Sequence, residues 1–208
     1  MIKFPIKPLR RDQLEQQSVP HAVQGGQMEA TWHTIYDTAT YVDNTTTNLQ
    51  FFNTARANVQ LTNFGGRGQF PEPQFFRPHA LTVDIIIVMA ATSFSDMHRL
   101  LFGTGVAGSG APTIELQYAN KSYGSWPLSF AHGSGGAVGM SDTTTAVATN
   151  QVAYNSYPDG GIWLAGQTVT FAPNQQFQID LGWAAAVDIA ADINIRVNMT
   201  GEWFRRVT

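Results

Sequence analysis

The chain has no cysteine, which excludes disulfides, thiolate metal sites and a cysteine nucleophile. Charge is scarce: Asp, Glu, Lys and Arg make up 13% of the 208 residues, against about 25% in an average soluble protein. Their balance, a net −3, argues against a domain whose main task is gripping the phosphates of a nucleic acid. Long apolar runs are missing too. The longest, residues 85–91, is far too short to cross a bilayer as a helix. Nothing resembles a secretory signal, because the start interleaves Lys3, Lys7, Arg10 and Arg11 with Pro5 and Pro8. The Asn-x-Thr and Asn-x-Ser strings at Asn44, Asn120 and Asn198 therefore read as chance matches, and the expectation is a protein made in the cytoplasm.

Thr, Asn, Gln, Ser and Gly fill the place of the missing charge. A surface of that kind costs little to desolvate, which suits a protein packed against copies of itself. The hydrophobic share, 43%, is enough for a sizeable core, and the length fits one large β-sandwich. The clearest pattern lies near the carboxyl end. Phe177, Ile179, Leu181 and Trp183 alternate with Gln178, Asp180 and Gly182, and Ile193, Ile195, Val197 and Met199 alternate with Asp192, Asn194, Arg196 and Asn198. A period of two is the side-chain period of a strand, so each segment buries one face. Joined through residues 184–191, the two are expected to pair in one half-buried antiparallel sheet.

Residues 1–27 read as an extended N-terminal arm: prolines and basic residues, then a polar run in which Leu14 stands nearly alone, then Gly25-Gly26. Such a segment orders only by docking on something else. The folded domain is expected over residues 28–208. Trp32, Ile35, Tyr36, Tyr41 and Val42 among threonines predict a strand, Leu49 to Phe52 a second, and Val59, Leu61 and Phe64 a third ended by the glycines around Arg67. Residues 81–89 are apolar at nearly every position, which predicts a central strand covered on both faces. Ser95 is placed to cap a helix over residues 96–102, stopped by Gly103. Ile114, Leu116 and Tyr118 alternate again, residues 133–150 read as a long exposed loop, and Ile162-Trp163-Leu164 follows a turn signal.

About eight strands with one short helix predict an all-β jelly-roll sandwich. The arm, the helix between mid-chain strands, the turn-to-strand segment Phe171-Ala-Pro-Asn-Gln-Gln-Phe-Gln-Ile and the close Gly201-Glu-Trp-Phe-Arg-Arg-Val together resemble the single jelly-roll capsid proteins of viruses and bacteriophages. The resemblance implies a virion structural protein, a capsid subunit assembling with copies of itself and with other capsid proteins. The alternative is a receptor- or glycan-binding jelly-roll module of a spike or a carbohydrate-binding domain.

Chemical motifs are thin. Gly103-Thr-Gly-Val-Ala-Gly108 matches a dinucleotide string, yet a predicted helix precedes it where a strand is required. Ser134 has His132 where a nucleophile elbow needs glycine. His21, His33, His79, His98 and His132 are scattered singly, without metal-ligand spacing, and nothing selects a pair of carboxylates. The expectation is a non-enzyme with no catalytic residues, cofactor, metal or small-molecule substrate. Lys3, Lys7, Arg10 and Arg11 are the candidates for an inner-face contact with a genome or an internal membrane. Tyr123, Trp126, Tyr157 and Trp163, aromatics near turns, are the candidate subunit-contact anchors, with sugar stacking as the other use of such rings.

Overall fold

A computed structural model describes residues 28–54, 56, 58, 60–86, 94–103, 110–132, 137–141, 151–155, 161–164 and 169–206. The arm with Lys3, Lys7, Arg10 and Arg11, and also Tyr157, Ser134 and most of the glycine string after Gly103, lie outside the described residues. In chain order the elements are β1 (Met28–Tyr41), β2 (Asn48–Phe51), β3 (Phe75–Ile86), helix α1 (Phe94–Phe102), β4 (Thr113–Tyr118), β5 (Lys121–Pro127), helix α2 (Leu128–Ala131), β6 (Ala137–Ser141), β7 (Gln151–Asn155), β8 (Ile162–Trp163), β9 (Phe177–Gly182) and β10 (Ile193–Arg206). Two four-stranded sheets run β1-β10-β3-β8 and β2-β9-β4-β5, and β6 pairs with β7 alone. Every pairing between these strands is antiparallel. Each sheet interleaves early and late strands, which is the connectivity of a jelly roll.

The core lies between the sheets, filled by the period-two positions. Ile35, Ala39 and Tyr41 of β1, Leu81 and Val83 of β3 and Ile193, Ile195, Val197 and Met199 of β10 come from one side. Phe51, Ile114, Leu116, Phe177, Ile179 and Leu181 come from the other. The end of the sandwich where β1 begins is sealed by phenylalanines: Phe70 stacks on Phe76 and on Phe177 at 5.4 Å each, and Phe171 on Phe177 at 4.7 Å. At the opposite end the connection after β9 closes the core, with Trp183, Val187 and Ile189 buried. The Trp183 indole N–H donates to the Leu100 carbonyl at 2.9 Å, and the Val187 N–H donates to the Tyr41 hydroxyl at 2.6 Å.

The two alternating segments near the carboxyl end are strands, but they do not pair with each other. β9 lies between β2 and β4, whereas β10 lies between β1 and β3 in the opposite sheet. Alternation records which face is buried and carries no information about the neighbouring strand. Here two strands from opposite sheets turn their apolar faces to one core. Of the strand predicted through Val59, Leu61 and Phe64, Val59 lies outside the described residues and Leu61 is in a turn: the Asn58 side chain accepts from the Gln60 N–H at 2.8 Å, an Asx turn, leaving one bridge between Asp37 and Thr62.

Over residues 81–86, the described part of the strand expected to be covered on both faces, β3 is buried on one face only. Leu81 and Val83 are buried, while Thr82 and Asp84 on the other face hold the Asn198 amide at 3.3 and 2.8 Å. The expected loop over residues 133–150 contains β6, because an antiparallel pair satisfies its backbone without any apolar period. Helix α1 begins at Phe94 and stops as expected: Gly103, at φ 67°, donates its N–H to the Arg99 carbonyl at 2.8 Å. The four-residue α2 has no sequence signal that separates it from a loop.

Candidate interaction surface

On β1 the even positions Trp32, Thr34, Tyr36, Thr38 and Thr40 share the face turned away from the core. Across the strand pairing they meet the polar positions of β10. Thr34 and Thr200 hydroxyls lie 2.9 Å apart, Thr40 donates to Asn194 at 2.8 Å, and the Arg196 guanidinium donates to Thr38 at 3.1 Å while lying 4.6 Å from the centre of the Tyr36 ring. These are cross-strand pairs, the stabilising unit of a sheet face. The outer face of the first sheet around β1 and β10 is thus an internally bonded platform of threonine and asparagine, in which Arg196 faces Asp84 across the β10–β3 pairing.

Aromatic rings interrupt the platform toward the start of β1. Trp32 is 63% exposed, and its ring stacks on His79 with centroids 5.1 Å apart. Glu202 stands between two bases, its Oε2 3.4 Å from His79 Nε2 and 3.6 Å from an Arg77 nitrogen. His79 reaches this position because the β3–β10 register slips there, Thr200 facing Ala80 and Gly201 facing Pro78. Pro78 gives no N–H to the ladder, and a side chain on Gly201 would strike the Arg77 carbonyl, so the bulge is written into both strands. One strand further over, Trp163 of β8 is 60% exposed beside Ala80, on the same outer face. The two exposed indoles therefore stand on opposite borders of one sheet.

β1 is itself the border strand of this sheet. Toward its end the border is covered by the turn after β2. The Tyr36 N–H donates to Asn63 Oδ1 at 2.7 Å, the Asn63 N–H donates to the Tyr36 carbonyl at 3.3 Å, and the Asn63 amide donates to the Thr34 carbonyl at 2.8 Å. These bonds show that the backbone groups of even-numbered β1 residues point away from β10. Among the described residues, nothing bonds those of Ala30 and Trp32.

The candidate anchors are not gathered in one place. Tyr123 and Trp126 sit on β5, the border of the second sheet, both half-buried; Tyr123 meets Tyr118 at 5.9 Å, and the Trp126 indole lies across Gly124 and packs on the core. Trp163 is in the other sheet. On the outer face of the second sheet Asp180 faces Glu115 across the β9–β4 pairing. Burial pushes the Asp180 carboxyl above the usual range, against a hydrogen bond from Gln178 and with a further push from the Glu115 charge. Burial likewise holds the His132 imidazole below the usual histidine range, outweighing the Val83 backbone and Asp84, and neither of its ring nitrogens meets a partner in bonding geometry. Among the described residues no group of three or more His, Cys, Asp or Glu is placed to hold a metal ion.

Sequence reasoning passed over Trp32, His79, Glu202 and Asn63. The signal for Trp32 was present: it shares parity with Thr34, Thr38 and Thr40, opposite to that of Ile35, Ala39 and Tyr41, which marks it as outward-facing. His79 and Asn63 depend on a register slip and a turn that no local pattern announces. No known protein family matches the chain, and neither does any curated protein or solved structure.

Proposed function

We propose that this chain is a virion structural protein, a capsid subunit that is made in the host cytoplasm and assembles with copies of itself into a shell. The observation that carries the reading is the jelly-roll connectivity joined to an outer sheet face of cross-bonded polar side chains, low in net charge because Arg196 faces Asp84, with exposed indoles on its borders. Such a face loses little hydration when covered, and buried aromatic anchors dominate contact energies. Other capsid proteins fit the same surface, and the basic residues of the arm fit a genome or an internal membrane. The test is the size of the purified protein by light scattering and electron microscopy. Trimers, larger oligomers or particles are expected; a strict monomer at high concentration and moderate salt overturns the reading.

Trp32 and Trp163 on one face also support a second reading, a glycan-binding module, because indole rings stack on sugars. In that case a glycan array gives saturable binding that Trp163→Ala abolishes without changing oligomer size. For a capsid contact the same substitution shifts the protein to smaller species.

A further inference from the structure

We propose that the open stretch of the β1 border, residues 30–34, pairs with the same stretch of a second copy of this chain, antiparallel and with the two-fold axis at Trp32. This rests on the self-assembly reading above and names the contact by which it begins.

The direction of the backbone is fixed by bonds already described. Tyr36 and Thr34 turn their outward groups to Asn63, so Trp32 and Ala30, in step with them, turn theirs to the same side. Asn63 and Thr62 also end the open stretch, since an added strand can go no further than Thr34. A strand confined to residues 30–34 has a symmetric solution: Ala30 lies opposite Thr34 of the second copy, Thr31 opposite His33, and Trp32 opposite Trp32. Each even residue then exchanges both backbone bonds across the axis, the Thr34 carbonyl taking the Ala30 N–H of the second copy on its second lone pair beside the Asn63 amide it already accepts, which is the isologous contact of a two-fold dimer.

Side chains agree with this register. Trp32 stands opposite Trp32 of the second copy on the outer face, where each is now 63% exposed, and each indole turns from its stack on His79 to meet the other. On the other face Glu29, already 3.0 Å from Arg205, stands diagonally across from His33 of the second copy, so that a carboxylate and an imidazole face each other across the axis twice. The stretch Glu29-Ala-Thr-Trp-His-Thr34 carries no proline, lysine or bulge, the devices that blunt a border strand elsewhere. The covered half of the same border shows what blunting looks like in this protein.

The experiment uses the full-length chain. Ala30→Pro removes one outward N–H and no bond of the β1–β10 ladder, so the melting temperature is retained while association weakens about tenfold or more. Trp32→Lys reaches the same end by setting like charges opposite each other at the axis. Because the chain has no cysteine, Trp32→Cys supplies a single thiol, expected to oxidise to a dimer at a concentration where Val42→Cys, also exposed, does not. Hydrogen exchange is expected to protect the amides of Ala30, Trp32 and Thr34 only in the assembled state. If the wild type assembles but Ala30→Pro and Trp32→Lys assemble equally well, the border contact is wrong and the assembly reading stands. Protection of those amides in the monomer also overturns the contact, since the chain itself then covers the border. A wild type that stays monomeric at every concentration overturns the assembly reading itself.

Discussion

Asp37 is a carboxylate on the core face of β1, between Ile35 and Ala39, with its side chain 1% exposed. Three donors hold it there: Arg56 Nε at 2.6 Å and the Thr38 N–H at 3.0 Å on one oxygen, and the Phe52 N–H at 2.7 Å on the other. It therefore fastens the chain leaving β2 to the opposite sheet. Asp37→Ala strands a guanidinium and two backbone donors. Breaking a buried charge pair costs about 3–5 kcal/mol, and Arg56, still 24% exposed and able to turn to water, brings the expected loss to the lower end, about 3 kcal/mol. Asp37→Asn keeps the shape but sets an amide N–H against one of the donors, with an expected loss of about 1.5–3 kcal/mol. Urea unfolding at constant m reads both as a shift in midpoint. Adding Arg56→Ala to Asp37→Ala should cost less than the sum of the two single changes by about 1 kcal/mol or more. Losses below about 0.5 kcal/mol for both Asp37 variants, or strict additivity of the double variant, refute the fastening role.

Ile195 is fully buried, so Ile195→Asp should cost several kcal/mol in the same unfolding assay. Asn194→Asp next to it keeps the bond from Thr40 and should stay within about half a kcal/mol; equal damage from both means that the outer face is covered as well. Gly201→Ala drives a methyl into the Arg77 carbonyl and should cost about 1–3 kcal/mol, with the loss traced to the bulge by altered amide shifts of Arg77 and Pro78 neighbours. Asp180, whose folded carboxyl sits above its unfolded range, contributes stability that is complete at acid pH and is lost as pH rises through the raised value. Asp180→Asn should therefore melt higher than the wild type near neutral pH and lose that advantage on acidification, as read by melting temperatures across the pH series.

How much of this was legible in the sequence depends on the range of the interaction. The parity of Ile193 to Met199 and of Phe177 to Leu181 is local chemistry, and both strands and their buried faces follow from it. Which sheet each joins is decided by Ile85 facing Ile195 and Ile114 facing Leu181, contacts between distant segments that leave no trace in either run. The exposed indole of Trp163 is legible as an aromatic near a turn, but Tyr123 and Trp126 share that description and pack on the core instead. The difference is made by Gly124, whose missing side chain lets the Trp126 ring lie flat. Asp37 reads from sequence as a polar residue on a polar strand. Its buried role appears only when Arg56 and the Phe52 N–H are brought to it by the turn after β2.

β10 separates β1 from β3, and pairs with both along nearly its whole length. A ribosome adds residues at about 5–20 per second, so β1 emerges on the order of ten seconds before the strand that will flank it. Through that interval both of its borders are bare, and the first sheet has no middle. The sheet is zipped only when β10 is made. Until then another chain can pair with either border of β1, so the half-built sheet is the stage most open to wrong partners.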